Sequence, residues 1–361
     1  MKTLMKYLLI LLILSSIKVS YGQTVDLDKE RNNFSYKSNI TYYKGSPFNG
    51  TTLEYHIGQL SVKSSYKKGK LEGVYEYYDQ NGELTIKGFH KEGKKDSIWV
   101  WYNDNGRLVI KRTYKEGTED GVYEKYHENG QLEEKGIYKE GTPDGVWERY
   151  HPNGRLESKG SLKDGNKDGV WELYYGNGQL ASKETWKEGK QDGVYEKYEY
   201  EGQLKSKGSY KEGKEDGDFE WYHENGQLYW KRSYKERIQD GVWVKYYSDG
   251  QLESKETWKE GKEDGIWESY TENGQLDSKE SWKEGKKDGE WEIYYGEGIL
   301  YQKGSYKEGI KDGVWEEYYP DGQLKSKVTY KEGKGDGNWE YYFSDGQLKS
   351  KETYKDGVKI E

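Results

Sequence analysis

The sequence predicts an all-β protein: an elongated, single-layered array of antiparallel β-hairpins with a 24-residue period. Three observations predict it. They are an unbroken internal repeat, an Asn-Gly or Asp-Gly pair in the middle of most units, and runs rich in Val, Trp, Tyr and Thr on both sides of that pair. Repeats of fixed period are typical of arrays in which each unit packs only against its neighbours. We therefore expect one array rather than the several globular domains that 361 residues would otherwise suggest.

The repeat opens on an acidic residue, at Glu72, at Asp96 and then every 24 residues to Asp336, which gives twelve copies. Numbered from that residue, position 7 is always Tyr, position 11 always Gly, position 13 always Leu and position 16 always Lys. Position 4 is always aromatic. Hydrophobic residues make up only 32% of the chain, but aromatic residues reach 16%. Because disordered chains are poor in aromatic residues, we expect Tyr and Trp to supply the buried surface.

Four segments follow from this pattern: a signal peptide at 1–22, an N-terminal cap at 23–47, an incomplete first repeat at 48–71 and twelve hairpin repeats at 72–359.

The signal peptide is predicted from a basic start, a ten-residue apolar core at Leu8–Ile17, and the small residues Ser20 and Gly22 before the cleavage point. That apolar run is too short to span a bilayer as a helix. Its removal would lower the net charge from −8 to −11. We predict an exported protein, periplasmic or extracellular, that has no membrane anchor. The chain has no cysteine, which excludes disulfide bonds.

The central Asn-Gly or Asp-Gly pair, at positions 10 and 11, predicts a two-residue type I′ turn. That turn would pair position 4 with 17, 5 with 16, 6 with 15, 7 with 14 and 8 with 13. Glu at position 5 would then face the unvarying Lys, as in the pairs Glu316–Lys327 and Glu340–Lys351. Positions 4, 6, 8, 13, 15, 17 and 19 would share a packed face, and positions 3, 5, 7 and 16 an amphipathic one.

The unit DG-V-W-E-x-Y-Y-x-N-G-Q-L…Y-K-E-G-K resembles the MORN repeat variant, the hairpin repeat of bacterial proteins often called YwqK-type antitoxins. The resemblance covers roughly residues 40–357. It implies β-hairpin ladders that bind proteins, and the antitoxin name implies neutralisation of a partner toxin. Since this chain carries an export signal, such an immunity role would operate in the periplasm.

We predict that the protein is not an enzyme and has no catalytic residues, cofactor or metal site. No Ser-His-Asp set, nucleophile elbow or P-loop interrupts the repeat. His127, His151 and His223 all lie at position 8, where we expect them to replace Tyr or Phe in packing. Nucleic acid is not expected as a partner, because the lysines alternate with as many acidic residues.

The copy at 216–239 departs most from the repeat, and it is the predicted protein-binding patch, with local repacking as the alternative interpretation. Trp221 should face its cross-strand partner Trp230, and Trp, Tyr and Arg are enriched at binding hot spots. The predicted site residues are Phe219, Trp221, His223, Tyr229, Trp230 and Arg237.

Two functions fit the sequence. The leading hypothesis is an exported, non-enzymatic scaffold that binds another protein, with a toxin as one candidate partner. The alternative is a cell-wall or glycan-binding aromatic repeat module, which would hold sugars against exposed rings. Exposure of the rings at positions 4 and 19 discriminates between them, because rings that bury each other cannot stack on a sugar.

Overall fold

The protein is described by a computed structural model, which covers residues 22–361. The predicted signal peptide therefore lies outside the described residues, except for Gly22. The chain divides into two compact units. The first ends at Asp168 and includes Gly176–Gly178, and the second comprises Gly169–Tyr175 and Gln179–Glu361.

The first unit begins with a short mixed segment. Its elements are β1 (Gln23–Asp26), the helix α1 (Leu27–Glu30), a 3-10 turn (Arg31–Asn33), β2 (Phe34–Lys37), β3 (Ile40–Tyr43) and β4 (Ser46–Pro47). The hairpin strands of this unit are β5 (Gly50–His56), β6 (Gln59–Lys67), β7 (Lys70–Tyr78), β8 (Leu84–Lys91), β9 (Lys94–Tyr102), β10 (Leu108–Lys115), β11 (Thr118–Tyr126), β12 (Leu132–Lys139), β13 (Thr142–Tyr150), β14 (Leu156–Lys163) and β15 (Asn166–Lys167).

The second unit consists of hairpin strands alone. They are β16 (Gly169–Tyr174), β17 (Leu180–Lys187), β18 (Lys190–Tyr198), β19 (Leu204–Lys211), β20 (Lys214–Glu215), β21 (Gly217–Tyr222), β22 (Leu228–Lys235), β23 (Ile238–Gln239), β24 (Gly241–Tyr246), β25 (Leu252–Lys259), β26 (Lys262–Glu263), β27 (Gly265–Tyr270), β28 (Leu276–Lys283), β29 (Lys286–Tyr294), β30 (Leu300–Lys307), β31 (Ile310–Lys311), β32 (Gly313–Tyr318), β33 (Leu324–Lys331), β34 (Lys334–Gly335), β35 (Gly337–Tyr342), β36 (Leu348–Lys355) and β37 (Val358–Lys359).

Within each unit, successive hairpin strands pair antiparallel. The predicted all-β fold of antiparallel hairpins with a 24-residue period is confirmed, and α1 is the one α-helix in residues 22–361. No helix of that described range has the length and apolar character to cross a membrane.

The segment predicted as an N-terminal cap lies against the first hairpin. β1 pairs in parallel with β5, from Gln23 opposite Gly50 to Asp26 opposite Leu53. Phe34 and Tyr43 of this segment contact Phe48, the first residue of the predicted incomplete repeat, with ring centroids 5.3 and 5.8 Å apart. Phe48 is buried and packs in turn against Tyr66 of β6 at 5.6 Å, so the cap covers the first rings of the array.

The register is confirmed for three of the five predicted pairs and wrong for the two pairs nearest the turn. In the hairpin of β32 and β33, Trp315 pairs with Val328, Glu316 with Lys327 and Glu317 with Ser326, as predicted for positions 4, 5 and 6. A bulge then shifts the register, so that Tyr318 at position 7 pairs with Leu324 at position 13 instead of position 14. Position 14 is the extra residue of that bulge.

The reason for the shift is the turn, which is not the two-residue type I′ turn predicted at positions 10 and 11. In this hairpin the Gly322 N–H donates to Tyr319 O at 2.8 Å, and the Tyr319 N–H donates to Gln323 O at 2.8 Å. Gly322 has a φ of +85°, whereas Asp321 before it has no positive φ. A turn with only its last residue left-handed makes the longer hairpin loop that ends in a bulge.

The type I′ geometry occurs at the other end of the hairpin, in the Glu-Gly pair at positions 21 and 22. Glu332 and Gly333 have φ values of +52° and +78°, and Lys331 pairs directly with Lys334 across them. A two-residue turn with positive φ at both central residues is the type I′ arrangement. Two hydrogen bonds hold it: Glu332 N–H to the Asp312 carboxylate at 3.0 Å, and Gly333 N–H to Lys311 O at 2.9 Å.

Candidate functional site

The aromatic face carries runs of ring contacts in which position 4 alternates with position 19, and Leu162 is the one residue at position 19 without a ring. In the second unit, for example, Phe219 contacts Tyr234 at 5.8 Å, Tyr234 contacts Trp243 at 5.5 Å, and Trp243 contacts Trp258 at 5.3 Å. Six of the position-4 rings are buried, namely Trp99, Tyr123, Trp147, Phe219, Trp243 and Trp315. These rings are covered by protein and present no open face to a sugar.

The preference for Trp at position 4 has a polar cause as well. The Trp315 indole N–H donates to Ser305 O of the preceding copy at 3.2 Å, and Trp243 and Trp339 make the same bond to Ser233 O and Thr329 O at 3.1 Å each. A buried indole N–H needs an acceptor, and in these copies the backbone carbonyl at position 18 supplies one, whereas the Trp147 N–H is buried without an acceptor in the described part of the chain. Each such bond joins one copy to the next.

The opposite face carries a ladder of charges. The Glu316 carboxylate accepts from Lys327 of its own hairpin at 3.1 Å and from Lys303 of the preceding one at 3.0 Å. Tyr318 donates its hydroxyl to the same carboxylate at 2.7 Å. The predicted pairs Glu316–Lys327 and Glu340–Lys351 are confirmed, the second at 3.0 Å. The unvarying Tyr and Lys are therefore the two donors that hold Glu at position 5.

The histidines at position 8 take part in backbone hydrogen bonds between copies. The His127 ring donates from Nε2 to Tyr150 O at 2.8 Å, and the His223 ring to Tyr246 O at 3.1 Å. Tyr247 and Tyr319 donate their hydroxyls to the equivalent carbonyls of the following copies, Tyr270 O and Tyr342 O. His at this position thus replaces a Tyr hydroxyl as a donor. Within residues 22–361, no three or more acidic or His side chains form a group that could hold a metal ion.

Five of the six predicted site residues, all except Arg237, come together around one cross-strand pair. Trp221 of β21 pairs directly with Trp230 of β22, as predicted. Phe219 lies 6.1 Å from Trp221 between ring centroids, and Tyr229 lies 5.8 Å from Trp230. Phe219 is buried and part of the ring series, while Trp221, Tyr229 and Trp230 are half-buried.

Tyr229 reaches this face only because of the bulge at position 14. Strict alternation would place it on the opposite face, but the structure brings its ring within 4.7 Å of His223 at position 8. The same bulge allows ion pairs between positions 6 and 14 in other copies, such as Lys125–Glu133 at 2.6 Å and Lys325–Glu317 at 2.8 Å. His223 and Tyr229 therefore extend the aromatic cluster toward the Gly226 turn.

Arg237 is not part of this cluster. It occupies position 22, in the turn between β22 and β23, at the end of the hairpin remote from His223. It has a φ of +74°, and its N–H donates to Glu215 O at 2.7 Å, as Gly does at this position in other copies. The predicted site thus divides into an aromatic cluster and a separate exposed turn residue.

The sequence analysis missed Arg232, which lies at the centre of the cluster. Its guanidinium carbon lies 3.4 Å from the Trp230 ring centroid, 4.6 Å from that of Trp243 and 5.7 Å from that of Trp221. We call these four residues the Arg232 cage. The sequence does contain a pattern that points to Arg232. Position 17 is Arg in only two copies, at Arg112 and Arg232, and both copies have Trp at position 6.

These features define a class of protein: a scaffold of stacked β-hairpins whose invariant residues bond neighbouring copies, and whose departures from the repeat form a surface cluster. The chain belongs to the MORN repeat variant family, whose model matches residues 71–92, 95–116, 119–140, 143–164, 167–188, 191–212, 215–236, 239–260, 263–284, 287–308, 311–332 and 335–356. No curated protein matches the chain.

Among solved structures, the chain is similar to the TcdB2-TccC3 crystal structure, at 13% identity over 86% of this chain and 19% of that one, with a TM-score of 0.18. It is also similar to the Tc holotoxin pore of Photorhabdus luminescens, at 14% identity over 88% of this chain and 18% of that one, with a TM-score of 0.18. This chain thus spans about a fifth of the length of those chains.

Proposed function

We propose that this protein is an exported, non-enzymatic repeat scaffold that binds a partner protein through the Arg232 cage and its neighbours Tyr229 and His223. The observation that carries the proposal is the Trp221–Trp230 pair, which is half-buried at positions 6 and 15, where most copies have small or charged residues. Paired indoles beside an arginine are the side chains most enriched at protein-binding hot spots. The stacked copies on either side would hold this cluster rigidly.

An immunity role is the form of this function that the resemblance to YwqK-type antitoxins supports. The bound protein would then be a toxin met in the periplasm, and the scaffold would neutralise it by covering a surface that the toxin needs. Export and toxin binding both belong to this proposal. The glycan-binding alternative has less support, because six of the twelve rings at position 4 are buried, and the other six and those at position 19 are half-buried rather than exposed.

The test is affinity capture from native envelope extract with purified residues 23–361, compared with the double variant Trp221→Ala, Trp230→Ala. We expect one stoichiometric protein partner that the double variant fails to retain. The matched control is Trp101→Ala, which removes the other position-6 Trp and should leave capture unchanged. Retention of polysaccharide without any protein would contradict the proposal and favour the glycan-binding alternative.

A partner that passes this test can be tested as a toxin. Its expression in the periplasm should arrest growth, and co-expression of the wild-type scaffold, but not of the double variant, should restore growth. A partner that is harmless when expressed alone would argue against the immunity role while leaving the scaffold function in place.

A further inference from the structure

Two copies of the repeat combine Trp at position 6 with Arg at position 17, and they provide an internal comparison. In the copy at 96–119, the Arg112 guanidinium lies 6.0 Å from the Trp101 ring centroid and 5.5 Å from that of Tyr123. There it forms an ion pair with the Glu119 carboxylate at position 24. Tyr114 donates its hydroxyl to the same carboxylate at 3.2 Å. This arginine is therefore neutralised within its own copy.

The copy at 216–239 repeats this arrangement without the acid. Gln239 occupies position 24, and it pairs with Tyr234 in the register that pairs Glu119 with Tyr114. Among residues 22–361, no carboxylate lies within ion-pair distance of Arg232, and its Nε is buried without a hydrogen-bond acceptor. A buried donor on a charged group that lacks an acceptor is costly, and a carboxylate that reached the guanidinium would offset that cost.

The neighbouring lysines do not compete for such an acceptor, because they already have partners. Lys231 pairs with Asp218 at 2.6 Å, and Lys245, which is in register with Trp230, pairs with Glu253 at 2.5 Å. The guanidinium of Arg232 is thus a cation without a counterion, framed by three indoles. Arg in such a setting favours a planar, bidentate carboxylate.

We propose that the Arg232 cage binds a carboxylate from an acidic side chain of a partner protein, which would supply to Arg232 the negative charge that Glu119 supplies to Arg112. The methylene stem of a Glu or Asp side chain would pack on the half-buried faces of Trp221 and Trp230 while its carboxylate reaches the guanidinium. This inference rests on the proposed function, since it names the chemistry by which the partner is recognised at that site.

The test uses two probes that differ only in charge, a blocked tetraglutamate peptide and the matching tetraglutamine peptide, titrated into purified residues 23–361. Tryptophan fluorescence follows binding, and the 15N-labelled arginine Nε–H resonances report the hydrogen bond directly. We expect saturable binding of tetraglutamate at one site and no binding of tetraglutamine.

Two variants make the internal comparison decisive, and neither removes a ring. Gln239→Glu installs the acid that the other arginine has, so it should weaken tetraglutamate binding by about tenfold or more. Glu119→Gln removes that acid from the other arginine and should raise the stoichiometry from one site to two. Circular dichroism of both variants checks that the fold is kept.

The proposal is overturned if tetraglutamate does not bind at millimolar concentration, if tetraglutamine binds as well, or if Gln239→Glu changes nothing. Oligogalacturonate is the third probe. If it binds more tightly than tetraglutamate, with the same dependence on Gln239→Glu, the site binds carboxylates but the proposal that they come from a protein is overturned.

The capture experiment separates this inference from the proposed function. A captured partner that is lost with Trp221→Ala, Trp230→Ala but retained with Gln239→Glu would overturn this inference and leave the proposed function standing. The absence of any captured partner would overturn the proposed function, while the peptide titration still decides the role of Arg232.

Discussion

Glycine at position 17 decides how closely the ring at position 4 of the next copy approaches the sheet. A Cβ added to Gly304 would lie 2.2 Å from the Trp315 ring, and one added to Gly208 would lie 2.3 Å from Phe219. Both rings are almost completely buried. Glycine inside a strand usually weakens it, but Gly304 is the residue against which the Trp315 indole packs.

Gly304→Ala should destabilise the protein by about 1–3 kcal/mol, because the added methyl group overpacks the Trp315 contact. Urea unfolding followed by tryptophan fluorescence would measure the change. The matched control is Val328→Ala, at position 17 of the next copy, where a Cβ is already present and the effect should be smaller. Equal losses for the two variants would show that the ring does not need glycine beneath it.

At the scale of the hairpin, the turn at positions 10 and 11 and the turn at positions 21 and 22 have different effects on the structure. The Asn-Gly or Asp-Gly turn ends in a bulge that moves position 14 onto the aromatic face, whereas the Glu-Gly turn closes the hairpin through two left-handed residues. The acid at position 1 is part of the second turn, since its carboxylate accepts the N–H of the left-handed Glu, as Asp312 does for Glu332. The acidic residue at position 1 therefore accepts a backbone hydrogen bond that stabilises the turn, although its sequence context suggests a solvated surface charge.

Arg237→Gly should stabilise the protein by roughly 0.5–1 kcal/mol, because relief of a left-handed arginine outweighs the chain entropy of an added glycine. Thermal unfolding would measure it. The reciprocal change, Gly261→Arg at the same position of the next copy, should destabilise by a similar amount. A loss of stability with Arg237→Gly would mean that the arginine side chain makes contacts worth more than the backbone strain.

At the scale of the whole molecule, the ladder of Glu, Lys and Tyr makes stability depend on pH. Burial alone would raise the pKa of Glu316, but hydrogen bonds from Tyr318, Lys303 and Lys327 lower it to about 2. The pKa values of Glu76, Glu148, Glu220 and Glu340 are also lowered. A carboxylate with a lowered folded-state pKa stabilises the fold fully above its unfolded pKa and loses that effect as the pH falls through the folded value.

The thermal midpoint should therefore be constant between about pH 4.5 and neutral pH and fall steadily from about pH 4.5 toward pH 2. Glu316→Gln should cost about 1 kcal/mol at neutral pH, after allowance for solvent screening, and should make the acid decline shallower. Calorimetry across this pH range would measure both effects. Glu297→Gln, at an exposed turn, is the control and should follow the wild type; an identical acid decline for both variants would contradict the role of the ladder.

The sequence by itself determined the period, the hairpins and the pairing of Glu316 with Lys327 and of Trp221 with Trp230, because side-chain alternation over a few residues is a local property of a strand. Only the tertiary structure decided which of two glycine-containing turns becomes left-handed at both residues, since that choice depends on hydrogen bonds to the preceding copy. The bulge that brings Tyr229 beside His223 follows from that choice. The same holds for Arg232. The sequence shows an arginine at this position, but only the folded chain shows that it lacks a counterion within residues 22–361, because Gln239, and not an acidic residue, pairs with Tyr234.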